Sequence, residues 1–209
     1  MIIVGCDFGL RKSGIVALNE SYDISEQSLI KVNSSGAERL YEIEQVFNKL
    51  LEPYVEEKSL HIFLEGYAYG AKYQRESLAE LGGVMRRYFH VNSLDYWVIP
   101  PTSVKLFVTG SGKASKNYMK KCTKEKWGRD FRSDDECDAH GLARVGVSVI
   151  SALNGLTSEL LPEEATVVED ILNHRDHYQN GNTAKRSKTP RRQPRQKATN
   201  DPTTTKTKS

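Results

Sequence analysis

Asp7, Glu65 and Asp138 stand where a folded chain can least tolerate an unpaired charge. Asp7 follows the apolar run of Ile2, Ile3, Val4 and Cys6; Glu65 follows Ile62, Phe63 and Leu64; Asp138 shares a helical face with Leu142, Val145 and Val149. Short β-branched runs of this kind predict buried strands. A carboxylate at the end of a buried strand, or on the inner side of a helix, is costly to desolvate unless it is protonated, paired or bound to a cation. The chain is therefore restricted to folds that deliver these acids to a place where something positive meets them.

The pattern around them reads as an α/β layer. Ile2 to Asp7 and Gly14 to Leu18 form a hairpin across the turn Phe8 to Lys12, and a further strand is predicted over Ser28 to Val32. Between Ser35 and Lys58, Leu40, Ile43, Val46, Phe47, Leu50 and Leu51 recur at helical spacing, with Pro53 near the end. Leu60 to Glu65 is a strand, followed by the turn Gly66 to Ala71 and a helix from about Arg75 to His90 with Leu78, Leu81, Met85, Tyr88 and Phe89 inside. Gly82 and Gly83 in mid-helix cost about 1 kcal/mol each relative to Ala, so a close backbone approach is expected there. Tyr96 to Ile99 is a strand stopped by Pro100 and Pro101. Thr102 to Ser115 holds a short helix and a Gly/Ser/Lys loop, and Lys116 to Trp127 is a basic helix. Ser133 to Leu153 is the most apolar helix, and Pro162 to about Tyr178 forms another. Strands and helices in mixed order suit a mixed sheet flanked by helices.

Asp135 and Asp138 are spaced i, i+3, which puts both on one helix face about 5 to 6 Å apart at Cβ. If that helix crosses the sheet near the ends of the first and fourth strands, Asp7, Glu65, Asp135 and Asp138 form one cluster. No single Lys or Arg is placed to neutralise all of them, whereas a divalent ion asks for several convergent oxygens, and all-oxygen ligands favour magnesium. Two such ions about 4 Å apart activate water and stabilise the leaving oxygen of a phosphodiester.

Blander readings stand beside this one. Asp7 could anchor the turn at Gly9, and Glu65 could be a strand-end acid facing solvent. Ser133 and Glu136 fit a capping box, with Asp134 in the first helical turn where the dipole favours acids, so Glu136 and Asp134 are read as structural. His140 is read as a partly exposed helix histidine. Lys113 would ordinarily be a solvated surface charge, but the spare amides of its Gly/Ser loop favour an anion.

Charge is unevenly spread. From Thr183 to Ser209 nine basic residues face Asp201 alone, a charge of +8, which leaves the rest of the chain at −5 within the overall +3. The stretch after Tyr178 has no aliphatic periodicity and cannot bury enough surface to order itself. Residues 1–178 are thus expected to form the folded domain and 179–209 a disordered basic tail, where sequence-independent attraction to a polyanion concentrates. Cys6, Cys122 and Cys137 are odd in number and widely spaced, which suggests neither a disulfide framework nor structural zinc. No run approaches the ~20 apolar residues of a membrane span. A cytoplasmic protein in a reducing compartment, with no membrane and no organic cofactor, is expected.

Asp7-Phe8-Gly9 leading to Ser13-Gly14, then Phe63-Leu64-Glu65, then Asp135-Glu136-Cys137-Asp138-Ala139 resemble, in residues and in order, the RuvC family of Holliday junction resolvases. Pro101-Thr102-Ser103-Val104-Lys105, Val108 to Gly112 and Lys116 extend the resemblance, which covers about residues 1 to 155. It implies a ribonuclease-H-like fold and an endonuclease acting on branched DNA as a homodimer, with Mg²⁺, two ions per site, or alternatively Mn²⁺. It implies Asp7, Glu65, Asp135 and Asp138 as catalytic metal ligands, with Lys105 and Lys116 at the scissile phosphate.

Where the family commonly has an aromatic residue three positions after the Glu, this chain has Ala68, so Tyr67 and Tyr69 become the candidates for stacking on a base. The Gly66 to Gly70 turn and Leu81-Gly82-Gly83 look more like phage and other divergent members, so a phage protein acting in its host is one implication. Lys113, Arg191 and Arg192 complete the expected DNA contacts, and the helix from Arg75 to His90 the expected dimer interface. A broader nuclease for flaps and forks is the near alternative. An actin-like or sugar-kinase ATPase fragment, suggested by Asp7-Phe8-Gly9, would need a second such loop that the sequence lacks; a DNA-binding protein with a dead centre would not need its acids intact.

Overall fold

A computed structural model of the chain describes residues 1–19, 21–54, 60–66, 75–156 and 159–179. Five strands, β1 (Ile2–Asp7), β2 (Lys12–Leu18), β3 (Ile24–Lys31), β4 (Leu60–Glu65) and β5 (Tyr96–Ile99), form one mixed sheet in the order β3-β2-β1-β4-β5. The hairpin pairs β1 with β2 and β2 with β3 antiparallel, while β1, β4 and β5 run parallel.

Side-chain alternation along the strands divides the core in two. Ile2, Val4 and Cys6 of β1 and Ile62 and Leu64 of β4 face α1 (Gly36–Leu51) and α2 (Arg75–Val91), packing with Phe47, Met85 and Phe89. Ile3 and Phe63 face the other way, toward α3 (Pro101–Thr109), α4 (Lys116–Trp127), α5 (Asp134–Leu153) and α6 (Pro162–Asn173), with a last turn α7 (Arg175–Tyr178). Gln179 still pairs with Trp97 of β5.

α5 is the organising helix of the second face, and it lies unusually close to the sheet. A Cβ at Gly5 would overlap the Ala139 carbonyl, and one at Gly14 would overlap the Asp135 carbonyl; only glycine admits the helix there. Gly146 returns the accommodation, since a Cβ on it would strike Ile3 and Phe63. With the sheet on one side and α3, α4 and α6 on the others, α5 is buried almost all round.

Several sequence expectations are corrected. The third strand begins at Ile24, not Ser28, because Asn19 accepts hydrogen bonds from the Ser21 and Asp23 amides and turns the chain early. Its first half alternates half-buried with exposed positions, as an edge strand does, and carries no apolar run. The helix predicted to Lys58 ends at Leu51 and tightens into a 3-10 turn over Glu52–Tyr54, where Pro53 lacks the amide to continue it; residues 55–59 lie outside the described ones. The last predicted helix breaks at His174 into α6 and α7. A Cβ on Gly83 would meet nothing within 4 Å among the described residues, so no close approach by any of them explains that glycine. His140 is fully buried, not partly exposed, because the Trp127 and Phe131 rings close over it at 5.2 and 5.0 Å.

Cys6, Cys122 and Cys137 are buried and free. Among the described residues no helix is long and apolar enough to cross a membrane.

Candidate active site

Strand register brings the first two acids together. Gly5 lies beside Phe63 and Cys6 beside Leu64 in the parallel β1–β4 pair, so the next step sets Asp7 beside Glu65 at the same end of the sheet. Both have the parity of Ile3 and Phe63, and so both point toward α5. Each carboxylate perturbs the other's pKa, as neighbours at one strand end do.

Asp7 pairs across the hairpin with Gly14, and Gly14 is the position on which the Asp135 backbone rests. The glycine that lets α5 approach therefore also fixes the first turn of α5 over Asp7. Asp138 follows one turn later, in the field of Glu65 and Asp7. The turn at Gly9 does not use Asp7 as its anchor: the Ser13 hydroxyl accepts from the Gly9 amide at 3.2 Å and donates to the Gly9 carbonyl at 3.1 Å.

The N-terminus of α5 is locked by the expected capping box. Ser133 Oγ accepts from the Asp135 amide and donates to Asp135 Oδ2 at 2.9 Å, while Glu136 accepts from the Ser133 amide. Gln27 Nε2 of β3 donates to Glu136 at 2.9 Å, tying the cap to the sheet. Asp134 turns outward to Lys120 at 2.8 Å and Lys116 at 3.6 Å. Glu136 and Asp134 are thus structural, as their positions in the capping sequence suggested.

The electrostatics are those of crowded carboxylates short of positive charge. Burial, followed by the charges of Glu65, Asp138 and Asp135, raises Asp7 well above the usual carboxylate range. Glu65 is pushed up to about 7 by burial and by Asp138, against the opposing Asp7 hydrogen bond and the charges of Lys105 and Lys116. Asp138 is pushed up to about 6, chiefly by burial, although Lys116 and Lys105 oppose the rise. Lys116, in the first turn of α4, is raised: burial lowers it, but Asp134, Asp138, Asp135 and Asp7 together outweigh that.

The charges of Lys105 on α3 and Lys116 on α4 thus reach Glu65 and Asp138. Lys113 is exposed in the turn between these helices. Tyr67, Tyr69, Arg191 and Arg192 lie outside the described residues. Lys12, Lys31 and Arg132, which border the site from the β2–β3 side, were not singled out from the sequence. For Lys12 and Lys31 the signal was the pairing of β2 with β3, and for Arg132 its place just before the α5 cap.

Among the described residues no three acidic, histidine or cysteine side chains close into a formed metal cage. Asp7 and Glu65 touch, and Asp135 and Asp138 stand in their field. The donor set nonetheless fits a hard divalent cation: it offers carboxylate oxygens without sulfur or imidazole, and burial disfavours the charged forms of Asp7, Glu65 and Asp138, a penalty that a cation removes.

The mixed sheet flanked by helices, with acids gathered from two parallel strand ends and one crossing helix, is a ribonuclease-H-like fold with a carboxylate centre. Solved structures that share the fold include the RuvC of Thermus thermophilus (TM-score 0.60, 17% identity, covering 74% of this chain and 97% of that one) and the same organism's RuvC in complex with a Holliday junction substrate (TM-score 0.57, 17% identity, 74% and 96%). No family model matches the chain. In sequence it is 28% identical over 149 residues to the crossover junction endodeoxyribonuclease RuvC of Brachyspira hyodysenteriae, covering 68% of this chain and 91% of that relative. In sequence and in fold the chain is thus similar to RuvC proteins.

Proposed function

We propose that this chain is a junction-resolving endonuclease that hydrolyses phosphodiesters in branched DNA with divalent metal ions, Mg²⁺ or Mn²⁺. The observation that carries the reading is the delivery of Asp7, Glu65, Asp135 and Asp138, from β1, β4 and α5, into one buried field. The similarity to the Brachyspira and Thermus proteins supports the choice of substrate.

In this reading the four carboxylates are the metal ligands. Bound divalent ions would lower the pKa of an attacking water and offset charge on the leaving oxygen. Ser133 fixes the Asp135 carboxylate through its hydroxyl, and the parallel register of β1 and β4 sets Asp7 beside Glu65. Lys105 and Lys116, already close enough to influence Glu65 and Asp138, would hold the scissile phosphate against the acids. Tyr67, Tyr69 and Lys113 would meet bases and phosphates beside the cut.

Residues 1–178 would be the nuclease domain, and 179–209 a basic extension whose Arg191 and Arg192 contact DNA non-specifically. A homodimer would present two such sites to two equivalent strands of a four-way junction. The outer face of α2, where Gly83 has open space before it, would be its contact surface.

The test is nicking of synthetic four-way, three-way and flap substrates with and without magnesium. Metal-dependent, symmetric nicking of the four-way junction is expected. Equal cutting of flaps would move the reading to a broader structure-selective nuclease, and the absence of metal-dependent cutting on every substrate would refute it.

A further inference from the structure

Lys12 and Lys31 are direct cross-strand partners in the β2–β3 pair. Like charges directly opposite one another destabilise an antiparallel pair. Neither lysine has an ion-pair partner among the described residues. Lys12 lies two residues before Gly14, so it shares the face on which α5 rests, and pairing puts Lys31 there too.

Both line an open cleft of about 770 Å³ with Lys116, Lys120, Arg132 and Asp135. The Arg132 carbonyl accepts from Lys120 Nζ at 3.0 Å, which fixes that backbone at the cleft, and Arg132 itself is exposed. The acids of the cleft are already engaged: Asp134 by Lys120 and Lys116, Glu136 by Gln27 and the Ser133 amide, Asp135 by Ser133. Five cations, Lys12, Lys31, Lys116, Lys120 and Arg132, face three carboxylates there, a surplus of two positive charges on a chain that carries −5 outside its tail, and Lys12, Lys31 and Arg132 are the cations without an acid partner among the described residues.

We propose that this cleft is the lane for the sugar–phosphate backbone of the strand being cut, on one side of the scissile phosphate. The inference rests on the endonuclease reading and adds residues to it. Asp135 belongs both to the cleft and to the acid cluster, so the lane opens directly onto the reacting centre. Along β2 the step from Gly14, beside Asp7, to Lys12 is about 7 Å at ~3.3 Å per residue, which places the lysine pair next to the cut rather than on a distant arm. The lining carries charge and, apart from Leu29, no apolar surface on which a base could stack, so the lane grips phosphates and does not read sequence. An incoming phosphate also explains why two opposed lysines persist, since it relieves the repulsion that the unbound sheet bears.

The experiment is four-way-junction binding in EDTA across a salt series, for the full-length protein and for K12Q/K31Q, R132Q and the charge-keeping K12R/K31R. At about 0.9 per neutralised phosphate, K12Q/K31Q should flatten the slope of log K against log[salt] by about 2, and R132Q by about 1, while K12R/K31R keeps the original slope. A melting curve without DNA separates this from damage to the fold, because removing opposed charges should leave Tm unchanged or raised. Unaltered affinity and slope in K12Q/K31Q, in a protein whose parent still nicks junctions with magnesium, would overturn the lane alone. A parent protein that neither binds nor nicks junctions would remove the lane together with the endonuclease reading.

Discussion

Replacing Asp138 by Asn should make the metal-free protein more stable while disabling it. Asp138 is pushed up to about 6 from an ordinary 3.8, chiefly by burial. A carboxyl whose pKa is raised on folding binds more protons folded than unfolded, so stability falls as pH rises between those two values, and the full penalty is present above the folded one. At about 1.36 kcal/mol per pH unit the penalty at pH 8 is ~3 kcal/mol, less whatever local relaxation recovers. Asparagine keeps the shape and lacks the charge. Asp138→Asn should therefore gain about 2 to 3 kcal/mol at pH 8 in EDTA, but only about 0.5 kcal/mol at pH 4, just above the unfolded value. For a domain of this size that is roughly 5 to 10 °C in Tm at pH 8. The assay is urea or thermal unfolding at both pH values, with junction nicking measured beside it. Equal stability of the two proteins at pH 8, or a loss, would refute the claim that uncompensated burial of this charge strains the fold.

Other expectations follow the same physics. His140 is held down to about 3 by burial and by the charges of Arg144 and Arg129, so its contribution to stability is present above about 6.5 and is lost as pH falls toward 3; His140→Leu should lessen acid sensitivity, as unfolding followed from pH 7 to pH 4 would register. Gly14→Ala would drive a methyl group into the Asp135 carbonyl and should cost more than about 3 kcal/mol, with cutting lost even where the protein remains folded, read by denaturation and single-turnover nicking. Removing residues 183–209, which carry +8, should lower junction affinity and flatten its salt dependence without abolishing metal-dependent cutting at saturating protein.

The site was legible in the sequence because its acids violate the pattern around them. An Asp closing Ile2 to Cys6 and a Glu closing Ile62 to Leu64 need only period-two alternation and a parallel register to meet on one face. The helix that completes the cluster was legible by its cap, since Ser133 and Glu136 fix where α5 begins and hence where Asp135 and Asp138 point.

What brings that helix down was not legible. Gly5 and Gly14 read locally as strand and turn residues, and only three-dimensional contact shows them as the seats of the Ala139 and Asp135 carbonyls. His140 was misplaced for a related reason. A helix covered on one side is expected to show an outer face, and α5 has almost none, so a polar residue there is enclosed by Trp127, Phe131 and Arg144 rather than solvated. The first half of β3 escaped because an edge strand built of Ser, Glu and Gln offers no apolar signal, and with it escaped the opposition of Lys12 and Lys31.

Cutting of DNA by this chain requires the acids of β1, β4 and α5 to act jointly as one cation site. Titration of Mn²⁺ into the full-length protein, followed by electron paramagnetic resonance, measures this without reference to DNA. Saturable binding that is greatly weakened in each of Asp7→Asn, Glu65→Gln and Asp138→Asn, all still folded, is the predicted result. Manganese binding that survives each of these substitutions unchanged, or that is absent from the parent protein, would contradict it.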